Sequence, residues 1–206
     1  ETGTPQGAVV SPLLANIYLN PLDHLMEQAG KEMVRYADDF VVLCETKEDA
    51  EEVLSKLRQW VETAGLTLHP VKTRIVDADQ KGGFDFLGYH FERGKRWPRK
   101  KSVDKLRETI RQKTKRLDPR PMSEMVMDVN RTLRGWFAYF KHSAKQVFRV
   151  QDQFVRQRLR SVLRRRHKLQ GRARGRDHQR WPNAYFADLE LISLALAREE
   201  ASHSQR

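Results

Sequence analysis

Asp38 and Asp39 stand side by side between two apolar, β-prone runs, Met33-Val34-Arg35-Tyr36 and Phe40-Val41-Val42-Leu43-Cys44. Two such runs around a short acidic turn are the signature of a β-hairpin. Adjacent carboxylates repel one another, and burying them without a partner is costly. A divalent cation resolves both problems. Mg2+ is a hard ion that prefers carboxylate oxygens and keeps coordination sites open for the phosphates of a substrate. Two such ions assist in-line phosphoryl transfer at a nucleotide. As a bare pair, the two residues read more simply as a solvent-exposed turn, so their surroundings decide.

The second chemically suggestive pattern is basic. Residues 153–176 hold no Asp or Glu but ten Arg or Lys: Arg156, Arg158, Arg160, Arg164, Arg165, Arg166, Lys168, Arg172, Arg174 and Arg176. On a helix, Phe154, Val155, Leu159, Val162 and Leu163 take the inner stripe and the cations cover the rest. Such a surface favours RNA phosphates with strong salt dependence, and arginine also stacks on unpaired bases. The alternative is a solubilising face. Charge splits the same way along the whole chain. Residues 1–97 carry 11 Lys and Arg against 16 Asp and Glu; residues 98–206 carry 28 against 11, a net of +17. An acidic front half suits metal binding and a basic back half suits a polyanion.

The bulk composition narrows the remaining classes. The chain has 206 residues, 39% hydrophobic and 32% charged, enough for one large domain or two small ones. No run of 18 apolar residues exists, so no membrane partner is expected. No basic stretch followed by an apolar one opens the sequence, so no signal peptide is expected. A single cysteine, Cys44, excludes an internal disulfide and a multi-cysteine zinc site, and a reducing, cytoplasmic setting is the economical reading.

The elements that must position these groups follow from periodicity. A helix is expected over 11–29, capped by Ser11 with Pro12 behind it, with Leu14, Tyr18, Leu22, Leu25 and Met26 on its apolar side beside Leu13 and Ile17. After the hairpin, Thr46 and Asp49 form a capping-box-like start to a second helix with Ala50, Val53, Leu54, Leu57, Trp60, Val61 and Ala64 as its stripe. Gly65 stops it. Residues 66–68, 73–78 and 84–91 read as strands, with a turn at Gly82-Gly83. Composition shifts at 94–101, expected to be a linker. Helical spacing then runs through Val103, Leu106, Ile110 and Leu117. A second helix of this half begins at a Ser123 cap, a third covers about 147–168, a loop follows at Gly171 and Gly175, and a last short helix covers 184–198.

Tyr36-Ala37-Asp38-Asp39, held between its apolar strands, resembles the catalytic hairpin of reverse transcriptases. Three further stretches, in the right order, are similar to that family's motifs. They are the stretch from Thr4-Pro5-Gln6-Gly7 through Leu19, Gly65-Leu66-Thr67-Leu68-His69-Pro70-Val71-Lys72-Thr73, and Phe86-Leu87-Gly88-Tyr89-His90-Phe91. The wording is nearest to group II intron enzymes. Arg134-Gly135-Trp136-Phe137-Ala138-Tyr139-Phe140 resembles the centre of their maturase-specific domain, or thumb, and Trp181-Pro182-Asn183-Ala184-Tyr185-Phe186 resembles a tail found in some bacterial members.

The resemblance implies an α+β chain. A partial right-hand polymerase palm (helix, β-hairpin, helix, short strands) spans 1–93, and an all-α thumb bundle spans 102–206. It implies RNA-directed DNA synthesis with maturase activity on a group II intron RNA, using Mg2+, with Mn2+ as the alternative ion. The partners are that RNA, an RNA template with its DNA primer, and deoxynucleoside triphosphates. Asp38 and Asp39 become catalytic metal ligands, and Tyr36 shapes the floor near the primer end. Gln6 and Gly7 meet the incoming nucleotide and template. Lys72 approaches the nucleotide's phosphates as a proton donor to the leaving pyrophosphate. Leu87 and Gly88 form the primer grip. In the thumb, Arg156, Arg158, Arg160, Arg164, Arg165, Arg166 and Lys168 bind RNA. The family also carries a metal-binding Asp on an earlier strand. Asp23 lies in a helix and does not fit, so that Asp is expected upstream of Glu1 and the 206 residues alone are expected not to be a competent polymerase. Two other readings stay open: a splicing-only RNA-binding maturase, and a reverse transcriptase of another bacterial system.

Overall fold

In a computed structural model of the chain, residues 9–170 and 175–203 are described. They form two compact units, divided between Phe86 and Leu87.

The first unit opens with α1 (Ser11–Gln28). Ser11 is its first helical residue, and Val10 occupies the cap without a side-chain hydrogen bond, so the expected serine cap is not made. The apolar side is shorter than the periodicity predicts: only Leu22 and Met26 are buried, whereas Leu13, Leu14, Ile17 and Tyr18 are exposed. Strands β1 (Glu32–Tyr36) and β2 (Asp39–Leu43) pair antiparallel, from Glu32 opposite Leu43 to Tyr36 opposite Asp39. Helix α2 (Lys47–Thr63) starts as expected, with the Asp49 amide donating to Thr46 Oγ1 at 3.1 Å. It ends where Gly65, at φ 68°, lets the Leu66 amide reach back to the Val61 carbonyl at 2.9 Å. A left-handed residue here satisfies two otherwise orphaned carbonyls. Leu22, Met26, Val53 and Leu57 form the core, with Met33, Phe40, Val42 and Trp60 packed around them.

Two expected strands are not formed. Residues 66–83 run without regular structure before β3 (Phe84–Phe86). β-prone side chains there lack a ladder partner, and propensity alone does not make a strand. The single strand expected over 84–91 is two, because the chain turns left-handed at Leu87 (φ 46°) and Gly88 (φ 80°).

The second unit begins with β4 (Tyr89–Glu92) and β5 (Lys95–Pro98), an antiparallel pair. The turn between them uses Arg93 and Gly94, both at positive φ, which matches the right-handed twist of a tight hairpin. The expected linker is therefore ordered as strand β5 and the start of α3 (Lys100–Lys113). Leu117 falls beyond that helix and is exposed. Then come α4 (Met122–Phe140) and α5 (Lys145–Arg166). Pro121, not Ser123, holds the cap position of α4. Three short helices follow: α6 (Gly175–Arg180), α7 (Asn183–Asp188) and α8 (Leu194–His203). Gly175 thus opens a helix rather than marking a loop. The single helix expected over 184–198 is broken in two at 189–193. There Asn130 donates to the Glu190 carbonyl at 2.8 Å and accepts from the Ile192 amide at 3.0 Å. Asp152 of α5 then caps α8, taking bonds from the Leu194 and Ala195 amides at 2.9 and 3.1 Å. The core of this unit runs from Leu106 and Ile110 through Met125, Val126, Val129 and Leu133 to Phe148, Leu159, Phe186 and Leu194.

Candidate active site and nucleic-acid interface

The hairpin tip is set by alternation. Opposed residues of an antiparallel pair share a face, so Val34, Tyr36, Asp39 and Val41 lie on one side and Met33, Arg35, Phe40 and Val42 on the other. The second side faces the apolar core. The first is open: Tyr36 is 68% exposed and Val34 46%. Ala37 and Asp38 form the turn itself. Both Asp38 and Asp39 are exposed, and neither carboxylate makes a side-chain hydrogen bond or ion pair among the described residues.

Ala37 holds a left-handed φ of 54°. For a residue with a Cβ this costs about 1–2 kcal/mol. Arg35 offsets it. Its Nη1 donates to the Ala37 carbonyl and to Asn16 Oδ1, both at 3.0 Å, and its Nε donates to Asp23 Oδ1 at 2.7 Å. Its Nη2 closes a second bond to Asp23. The Arg35 hydrogen bond holds the Asp23 carboxyl below the usual range, and Asp23 in turn raises the guanidinium. Asp23 is thus committed to an arginine. Sequence reasoning missed Arg35. The available signal was an arginine at an inward-facing position of an apolar strand, a place that demands partners.

Two exposed carboxylates at one tip are a donor set that fits Mg2+, since hard oxygen donors with open neighbouring space suit an ion that retains water or phosphate oxygens. Among the described residues no three His, Cys, Asp or Glu come together as a fuller metal site.

The other expected site residues are scattered. Gln6 and Gly7 lie outside the described residues. Lys72 is exposed in a turn closed by the Thr73 amide on the His69 carbonyl at 3.0 Å; no hydrogen bond or ion pair among the described residues ties it to the hairpin. Leu87 and Gly88 belong to the second unit, where they are held tightly. Tyr139 Oη donates to the Leu87 carbonyl at 2.7 Å, and the Gly88 carbonyl accepts from the Arg99 amide at 2.9 Å and Ser102 Oγ at 3.2 Å. A Cβ on Gly88 would meet Ser102 Oγ at 3.5 Å and the Phe140 ring at 3.7 Å, on top of the strained φ.

The basic helix α5 differs from its expectation. Arg160 is 3% exposed; it donates to the Trp181 carbonyl at 2.9 Å and Asn183 Oδ1 at 3.0 Å, and lies over the Phe186 ring. It holds the C-terminal segment and does not face solvent. Arg164 forks onto Asp177, both bonds at 2.8 Å. Arg166 donates to the Asp118 and Arg120 carbonyls. Arg158 donates to Thr114, at 3.1 Å to Oγ1 and 2.8 Å to the carbonyl. Arg165 and Lys168 are exposed and Arg156 is half-buried. The sequence run is therefore divided between cations that assemble the bundle and cations that remain available.

Residues 1–91 match the family of reverse transcriptases (RNA-dependent DNA polymerases), and residues 103–181 match the group II intron maturase-specific domain. An uncharacterized 91 kDa protein in the cob intron of Schizosaccharomyces pombe is 27% identical, over 37% of this chain and 17% of that protein. Protein YkfC of Escherichia coli is 31% identical, over 44% of this chain and 32% of that protein. The chain spans less than a third of the length of either relative. No helix among the described residues is long and apolar enough to cross a membrane.

Proposed function

We propose that this chain, which belongs to the group II intron reverse transcriptase and maturase family, contributes its carboxylate hairpin to extension of a DNA primer on an RNA template and grips RNA with its helical unit. The observation that carries the reading is the tip of the β1–β2 hairpin. A turn held by Arg35 presents Asp38 and Asp39 to solvent with no competing partner among the described residues. Asp38 and Asp39 would hold Mg2+, with Mn2+ as its substitute. When bound, the ion offsets the charge on the transferring phosphoryl group.

The chain's own groups do the rest. Tyr36, on the same face as Asp39, gives the primer end a flat floor. Gln6 and Gly7 meet the deoxynucleoside triphosphate and the template. Lys72 Nζ attracts the triphosphate and gives a proton to the leaving pyrophosphate. The rigid Leu87-Gly88 turn supports the primer strand. The helical unit, with its large positive excess, binds group II intron RNA and assists splicing.

The test separates the two jobs. In the natural full-length protein, Asp38→Ala and Asp39→Ala each bring cDNA synthesis to background while RNA affinity is unchanged. Retained synthesis would remove the hairpin from catalysis. A splicing-only maturase is the second reading, supported by the match of residues 103–181 to the group II intron maturase-specific domain. It predicts that splicing survives both substitutions and that the wild-type protein makes no cDNA.

A further inference from the structure

The arginines of the helical unit differ in what holds them. Arg164 is neutralised by Asp177, and Lys113 and Arg120 by Asp128 and Asp118. Along the seam between α3 and α5 three arginines have neutral acceptors. Arg107 Nε donates to Gln151 Oε1 at 3.0 Å, Arg116 Nε to Ser161 Oγ at 2.8 Å, and Arg158 to Thr114. These bonds orient the guanidiniums without cancelling their charge.

Phe154 adds a second constraint. The guanidinium carbons of Arg107 and Arg111 lie 5.2 and 5.5 Å from the centroid of its ring. Two cations at one aromatic ring gain from its quadrupole but repel each other. Glu108 is shared between Arg111 at 3.3 Å and Gln112 at 2.7 Å. Burial first, then the charges of Arg116 and Arg111, push the Arg158 guanidinium below its ordinary value. Glu108 bonds one of the four arginines, Arg111, and the excess of positive charge leaves a surface that a polyanion would relieve.

We propose that Arg107, Arg111, Arg116 and Arg158 form a phosphate-binding site for folded RNA on the α3–α5 seam, and that this seam, not the C-terminal end of α5, is the main RNA contact of the helical unit. The inference rests on the RNA-binding reading above and gives it a location. Residues 103–181, matching the maturase-specific domain, contain all four arginines. Three of the guanidiniums, those of Arg107, Arg116 and Arg158, are preset by neutral acceptors, which suits phosphate oxygens because their forks lose little freedom on binding.

The test titrates the full chain with a fluorescein-labelled RNA hairpin over a range of salt. Arg111 and Arg116 are exposed, so the double substitution Arg111→Gln with Arg116→Gln should fold; an unchanged Tm checks this. Expected is a roughly tenfold loss of affinity, and a log K against log salt slope shallower by about one unit per arginine. Arg165→Gln with Lys168→Gln, two exposed cations at the end of α5, should cost distinctly less affinity and flatten the slope less than the seam double. Equal losses in the two double variants, or a loss only in the second, overturn the assignment. Should the seam double fail to fold, Arg116→Gln alone is read by the same criteria. An equal affinity for a DNA hairpin of the same sequence overturns RNA as the occupant. If the wild-type chain binds no RNA at any salt, the RNA-binding reading fails as well; if it binds and the seam variants bind equally, only the location fails.

Discussion

Arg35 makes four hydrogen bonds to three partners, reaching Asn16 and Asp23 on α1 and the carbonyl of Ala37 in its own turn. A lysine could keep the charge at Asp23 but not the fork that reaches the turn as well. Both Arg35→Lys and Arg35→Gln should therefore destabilise the hairpin unit, the glutamine by about 1–3 kcal/mol, discounted because Asp23 is partly exposed. Urea denaturation measures this; an unchanged midpoint would show that the network contributes nothing. A second residue-scale consequence concerns acid. The Arg120 guanidinium and amide hold the Asp118 carboxyl down to about 2 from an ordinary 3.8. A depressed carboxyl contributes stability that is fully present above 3.8 and is lost as the pH falls toward 2. Carboxyl NMR should place the Asp118 titration at the low end of that window, and Arg120→Ala should move it back up.

At the scale of elements, helix ends carry information that side-chain periodicity does not. Lys168 stops α5 with a φ of 54°, and the Leu169 amide reaches back to the Arg164 carbonyl at 2.9 Å. A glycine at this position would remove the Cβ strain at the cost of a freer unfolded chain. Lys168→Gly should therefore stabilise the helical unit by about 0.5–1 kcal/mol, read as a rise in Tm; a fall would mean that the lysine side chain contributes more than its strain costs. The same contrast explains what was legible in the sequence. The hairpin, α2 and its Thr46 cap were legible because each depends on neighbours within a few residues. The split of the last helix was not, because it depends on Asn130, some sixty residues away. Residues 66–68 and 73–78 were misread because β-prone side chains say nothing about whether a partner strand exists. The candidate site divides likewise. Asp38 and Asp39 were visible as a pair, while the residue that fixes their turn depends on contacts with α1. The run of arginines was visible as charge, but which of them are spent on Asp177, Trp181 or Thr114 is settled only by tertiary packing.

For the whole molecule, the two units are unequal in what they bury. The hairpin unit centres on four buried side chains, Leu22, Met26, Val53 and Leu57, under a two-stranded sheet with one open face. The helical unit buries fifteen core residues, from Leu106 to Leu194. Stability is a small difference between large terms, so a unit with little buried apolar area has the lower margin. Unfolding should therefore proceed in two steps, with the hairpin unit melting first. The sequence supplies its own reporters. Trp60 is the one tryptophan of residues 1–86, while Trp97, Trp136 and Trp181 lie in the other unit. Cys44 is the single cysteine, also in the first unit, and burial pushes its thiol above the ordinary value. A half-buried, protonated thiol reacts slowly until its surroundings open. In a urea titration, Cys44 labelling and the Trp60 contribution to fluorescence, isolated by comparison with Trp60→Phe, should change together at low urea. Helical circular dichroism, dominated by α3 to α8, should follow at higher urea. Coincident transitions from all three probes would mean that the molecule unfolds as one cooperative body, and that the small core of the hairpin unit is supported by more than its own side chains.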